Sequence, residues 1–185
     1  MLTPTVRLER HPLATWSGPE IVVTGGCAVR ADGAAECRFE VTGDIDRILV
    51  PGRTAARRCD GLWRHTCLEA FVARREERDY LEFNFAPSGN WAAYAFSDYR
   101  TPAPAPEIPA PSIRVEQDHR LLTLVARLAP ASWPADAPLE IGLAAVIETK
   151  HGALGYFALR HPAAAPDFHD RWGFALSLGR QAEAS

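Results

Sequence analysis

The chain has 185 residues, 47% hydrophobic and 23% charged, which excludes wholesale disorder and suits one domain around one core. Its formal net charge of -3 gives no basis for general attraction to nucleic acid or to an anionic membrane. Thirty-one alanines inflate the apolar fraction, and 19 arginines against one lysine, Lys150, mark a compositional bias before any functional choice.

Residues 1–20 hold no apolar run of signal-peptide length, and the longest nearly apolar stretch, Ile141 to Ile147, is too short to span a bilayer. The four cysteines, Cys27, Cys37, Cys59 and Cys67, are too few for a disulfide scaffold in a chain of this length. The expectation is a cytoplasmic protein with reduced thiols and with no nucleic-acid or membrane partner. Oligomeric state stays open.

Period-two alternation dominates the chain. Val6–Arg10 is the first strand candidate. Ile21–Arg30 and Glu36–Thr42 follow, joined through Ala31-Asp32-Gly33-Ala34, a hairpin signal. In the second of these, Cys37, Phe39 and Val41 share one side, and Glu36, Arg38 and Glu40 the other. Arg47–Val50, Cys67–Ala73, Tyr80–Ala86 and Trp91–Phe96 come next, the last pair separated by Pro87-Ser88-Gly89-Asn90. The Pro-rich stretch Thr101–Pro111 reads as a stiff surface connection within a single domain spanning 1–185. Ile113–Gln117, Leu121–Leu128, Leu139–Glu148, Leu154–Leu159 and Phe174–Leu178 complete the set. The pattern predicts an all-β, antiparallel β-sandwich.

The alternation also predicts a face opposite the core. Leu68, Ala70 and Val72, with Leu81, Phe83 and Phe85, read as core, which places Glu69, Glu82 and Asn84 outside. Tyr94 and Phe96 read as core by bulk, which places Trp91, Ala93 and Ala95 outside. Ile141, Leu143, Ala145 and Ile147 read as core, which places Gly142, Ala144 and Glu148 outside. Carboxylates, an amide and an indole beside small residues suit a groove for a polyhydroxylated ligand. An ordinary solvated face is the bland alternative.

Other constellations carry less. Cys67 with a histidine resembles a nucleophile pair, and Cys59, His65 and Cys67 resemble part of a zinc site. Their spacing fits no tight pattern, so a buried inert thiol is the default. Pro166 to Asp170 reads as a short helical or 3-10 turn in which Asp167 or Asp170 could orient His169. Arg53, Arg57, Arg58 and Arg64 could meet a phosphate, or simply be solvated. Neither a catalytic nor a metal-ligating residue is assigned.

Leu62 to Phe71 (LWRHTCLEAF), Tyr80 to Gly89 (YLEFNFAPSG), Trp91 to Phe96 (WAAYAF), Tyr99-Arg100, Ala145 to Glu148, Tyr156 to Pro162 and Pro166 to His169 carry a resemblance. Together with His11-Pro12, they resemble the bacterial DOMON-like proteins, related to family 9 carbohydrate-binding modules, over nearly residues 5–178. The resemblance implies a sandwich of the carbohydrate-binding-module type. Relatives in the wider superfamily bind sugars or haem, and some hold calcium, so calcium stays open. Two departures stand out: Phe157 where a Trp is usual, and Thr101-Pro102 where Gly-Met is usual. Haem-binding relatives use Met and His, and the one methionine here is Met1, which disfavours that ligation and leaves a His/His pair open.

The combined expectation is a non-catalytic module for a small carbohydrate-like ligand. Glu69, Glu82, Asn84 and Glu148 would hydrogen-bond it, Trp63 and Trp91 would stack on it, and Tyr99, Arg100 and His169 would edge the groove. A haem or redox module, and a glycoside-acting enzyme using the paired carboxylates, are the alternatives.

Overall fold

The computed structural model describes residues 3–134 and 137–178; Met1 lies outside them. Twelve strands carry the fold: β1 (Val6–Arg10), β2 (Ile21–Val29), β3 (Ala35–Gly43), β4 (Cys67–Arg74), β5 (Tyr80–Phe85), β6 (Trp91–Asp98), β7 (Thr101–Ala103), β8 (Ser112–Gln117), β9 (Leu121–Leu128), β10 (Leu139–Glu148), β11 (Leu154–Ala158) and β12 (Leu176–Leu178). Every pairing between these strands is antiparallel.

The strands run β7-β6-β5-β4-β10-β11-β1-β2-β3-β9-β8, with β12 beside β10. β1 is the seam: it pairs with β11 in one layer and with β2 in the other. The two layers close on a core that joins Phe39, Val41 and Leu124 to Phe83, Ile141 and Leu143. Burying each such side chain contributes about 1.5–3 kcal/mol. The β2–β3 hairpin closes as its Asp-Gly pair predicts. Gly33 sits at φ 79°, where a side chain would be strained, and Asp32 Oδ1 accepts the Ala34 N–H at 3.2 Å.

Several expectations change. Arg47–Val50 is not a strand: a 3-10 turn over Ile45–Arg47 gives way to a single bridge between Ile48 and Thr149. The last strand shrinks to Leu176–Leu178 because residues 171–173 wind into a 3-10 turn capped by the Asp170 side chain. That turn replaces the one expected over 166–170. The Pro-rich stretch opens with edge strand β7, where Pro102 lies opposite Phe96 and a missing N–H costs little.

Cys27 and Cys37 lie directly opposite on β2 and β3, with Cα atoms 4.3 Å apart, and are joined by a disulfide. The expectation of four reduced thiols is therefore corrected. Cys59 and Cys67 remain free.

The second layer is buried on both faces. On its outer side Phe71, Tyr80, Ala144, Ala158 and Phe174 form a smaller core, with Phe96 and Phe168 packed against it. Gly142 is a condition of that packing: a Cβ there would stand 2.7 Å from the Phe174 ring. The small residues of β10 and β11 thus make room for the chain's own C-terminal segment.

Candidate functional site

Beside this outer cluster the same sheet face opens into a cavity of about 530 Å³. Glu69 and Phe71 of β4, Glu82 of β5 and Val146 of β10 form its floor. Tyr94 and Phe96 of β6 and Tyr156 of β11 wall it. Trp63 and Arg64, on the 3-10 turn Leu62–Arg64, close one side; Pro166, Phe168 and His169 close another, with Arg100 at the rim. The size falls in the usual range for small-ligand sites.

Cross-strand register explains the floor. Glu69 pairs with Asn84 and Phe71 with Glu82, so the two glutamates are diagonal neighbours on one face. Such positions lie within about 8 Å of each other. Both carboxyls are buried, Glu69 at 2% and Glu82 at 5% exposure. Asn84 Nδ2 donates to Glu82 Oε1 at 2.8 Å. Glu69 Oε1 and Asn84 Oδ1 have no hydrogen-bond partner among the described residues. A buried oxygen without a partner is costly.

The charges follow from burial. Desolvation first, and the Glu82 carboxylate second, push the Glu69 carboxyl well above the usual carboxylate range. Desolvation raises Glu82 to about 7, against the Asn84 hydrogen bond and the Arg100 charge. His169 is caged by Phe71, Tyr80 and Phe96, with ring centroids 5.4, 5.9 and 4.9 Å away. Burial there, aided by the Arg100 charge and opposed by Asp167, lowers it to about 4.

Two tethers hold the walls. His65 Nδ1 lies 2.7 Å from Glu148 Oε2, which ties the Trp63 turn to the end of β10. Asp167 accepts from the Tyr99 hydroxyl and, at 2.9 Å, from the Arg100 guanidinium, which ties the 166–169 segment to the β6–β7 turn. Arg100 makes this turn with φ 48°, the one non-glycine residue at positive φ among the described residues.

The structure therefore brings together Trp63, Glu69, Glu82, Arg100 and His169. Asn84 is fully buried opposite Glu69 and bonds Glu82, while Tyr99 and Glu148 serve as tethers. Trp91 is placed differently from the expectation. It pairs with Phe85 and packs in the inter-sheet core at 5% exposure, with the Arg58 guanidinium 5.5 Å from its ring. Ala93 pairs with Phe83 on that same core side, and Tyr94 with Glu82 on the groove side. Bulk had assigned this strand the wrong way round. Tyr94, Phe96, Tyr156 and Phe168 are the groove residues that the sequence reading missed.

The other constellations resolve into structure. Arg53 and Arg58 donate to main-chain carbonyls of Ile113, Pro106 and Ala93. Asp167 Oδ1 accepts the His169 main-chain N–H, and the imidazole bonds Tyr80 instead. Among the described residues no group of three or more His, Cys, Asp or Glu side chains is placed to hold a metal ion. The cavity is lined by one imidazole, His169, so it does not offer the His/His pair that the sequence left open for haem. Among the described residues no helix is long and apolar enough to cross a membrane.

No family model matches the chain, and no curated protein matches it by sequence. Solved structures do resemble it. A candidate carbohydrate-binding protein from Bacteroides uniformis matches with TM-score 0.55 at 12% identity, over 90% of this chain and 84% of that one. A family 9 carbohydrate-binding module from Caldicellulosiruptor kristjanssonii in complex with glucose matches with TM-score 0.51 at 11% identity, over 82% and 73%. A family 9 module from the same organism in complex with cellotriose gives 0.50 at 12%, over 82% and 71%. The chain has the fold of these proteins, an antiparallel β-sandwich of the carbohydrate-binding-module type.

Proposed function

We propose that the groove on the outer face of the second sheet binds a small carbohydrate-like, hydroxylated ligand. One observation carries this reading: an aromatic-walled cavity whose floor holds two buried carboxyls, one of them, Glu69, with an oxygen that has no hydrogen-bond partner among the described residues. Trp63, 43% exposed at the rim, offers an indole face to the C–H side of a sugar ring. The floor carboxyls and the Arg100 guanidinium offer donors and acceptors to its hydroxyls. The structural neighbours solved with glucose and with cellotriose support a sugar as the ligand class.

Cleavage of a glycoside is less well supported. That chemistry sets its two carboxyls on either side of the scissile bond. Here both rise from neighbouring strands of a single floor.

Calorimetric titration with glucose, xylose, cellotriose, acidic sugars and nucleotide sugars tests the proposal. Binding by one class, weakened by Trp63→Ala, supports it. Absence of binding across the panel overturns it.

A further inference from the structure

The floor carboxyls differ in their surroundings, and the difference resembles a division of labour. Glu82 has a donor and a cation acting on it: Asn84 Nδ2 bonds Oε1 at 2.8 Å, and the Arg100 charge favours the ionised form. Those neighbours favour a carboxylate, a proton acceptor. Among the described residues Glu69 has no cationic side chain bonded to it and its Oε1 has no partner; the weakly donating Cys67 thiol hydrogen-bonds the carboxyl, and its charged neighbour is Glu82 itself. Those surroundings favour the neutral acid, a proton donor. Both side chains face one cavity from one side.

Two groups on one face cannot flank a bond, but they can serve two oxygens attached to one carbon. A cyclic reducing sugar presents that pair at its anomeric carbon, the hydroxyl O1 and the ring oxygen O5. We propose that the groove interconverts the anomers of a bound reducing sugar, with Glu82 as the base at O1 and Glu69 as the acid at O5. This goes beyond the binding proposal and rests on it.

The step balances without a cofactor. Glu82 takes the proton from O1, the C1–O1 bond becomes a carbonyl, and the C1–O5 bond breaks. Its electron pair goes to O5, which takes the proton from Glu69. After rotation about C1–C2 the same transfers run backwards onto the other face of C1. Both carboxyls return to their starting states. General acid and base groups placed in this way each contribute about 10²–10⁴-fold to rate. Assignment of acid and base by environments that push two carboxyls apart is a general pattern.

Exchange NMR between the α and β signals of glucose, galactose and xylose tests the proposal on the full chain in dilute, weakly catalytic buffer. The expected result is an exchange rate for at least one sugar that rises in proportion to protein concentration. Glu82→Gln and Glu69→Gln, each checked for folding by its melting transition, lower that rate by about 10²-fold or more. Line broadening of the sugar in the same tubes reports binding separately. A sugar that binds yet exchanges at the buffer rate overturns the catalytic proposal and leaves the binding proposal standing. Exchange that persists in both folded Gln variants also overturns it. A panel in which no sugar binds overturns both.

Discussion

The Tyr80 hydroxyl lies 2.8 Å from His169 Nδ1 and also accepts the Arg100 main-chain N–H at 3.2 Å. This geometry fits a hydroxyl that donates to Nδ1, which would put the imidazole proton on Nε2, the nitrogen 3.7 Å from Glu82 Oε2. The positive-φ turn at Arg100 holds the phenol oxygen that would set this tautomer on the groove wall.

Tyr80→Phe removes that constraint. Nitrogen-15 NMR is expected to show a single Nε2–H tautomer in the wild type and a mixture in Tyr80→Phe. The phenyl ring keeps the 4.8 Å stacking on Phe96, so the melting temperature changes little.

Trp63 at the groove rim and Trp91 in the core separate binding from folding. Trp63→Ala is expected to weaken ligand binding by about 0.5–1.5 kcal/mol, roughly 2- to 13-fold, with the melting curve nearly unchanged. Trp91→Ala opens a core cavity and costs about 3–5 kcal/mol of stability. Thermal melts and calorimetry on both variants check this contrast.

Stability should depend on pH through the groove. A carboxyl raised in the folded state stabilises fully below its unfolded value of 4.5, and that contribution is lost as pH rises through about 7 for Glu82. His169 works oppositely: its contribution is present above 6.5 and lost as pH falls through about 4. Glu82 is surrounded by Glu69, Cys67, Tyr80, Tyr94, Arg100 and His169, and removing its charge also relieves Glu69. The melting-temperature advantage of Glu82→Gln over wild type should therefore grow between about pH 5 and about pH 8.

The Cys27–Cys37 bridge predicts a thiol count. Unfolded, unreduced protein should expose only the thiols of Cys59 and Cys67, and reduction should expose all four. The sequence separation of 10 implies a loss of about 3 kcal/mol when the bridge is removed, measured by denaturant unfolding of Cys27→Ala/Cys37→Ala.

Most of this fold is legible as period-two alternation, because each strand with one dry face shows it. Glu69, Phe71 and Glu82 fall on the groove side as the pattern requires. β6 defeats the pattern because both its faces carry aromatics: Trp91 on one, Tyr94 and Phe96 on the other. Side-chain bulk then suggests the wrong interior. The opposing residues hold the missing signal, since Glu82 pairs with Tyr94 and Phe83 with Ala93, and that pairing requires the register. Ala144 misleads for a related reason. It leaves space, and Phe174 and its neighbours fill it from a segment far along the chain.

The most direct test of the groove is a nitrogen-15 titration that follows the five tryptophan indoles with glucose, cellotriose and the wider sugar panel. Binding in the groove predicts shifts at the Trp63 indole and the His169 ring, with the buried Trp91 and Trp133 indoles unmoved. No shift with any sugar, or shifts at the 80%-exposed Trp172 without Trp63, would contradict it.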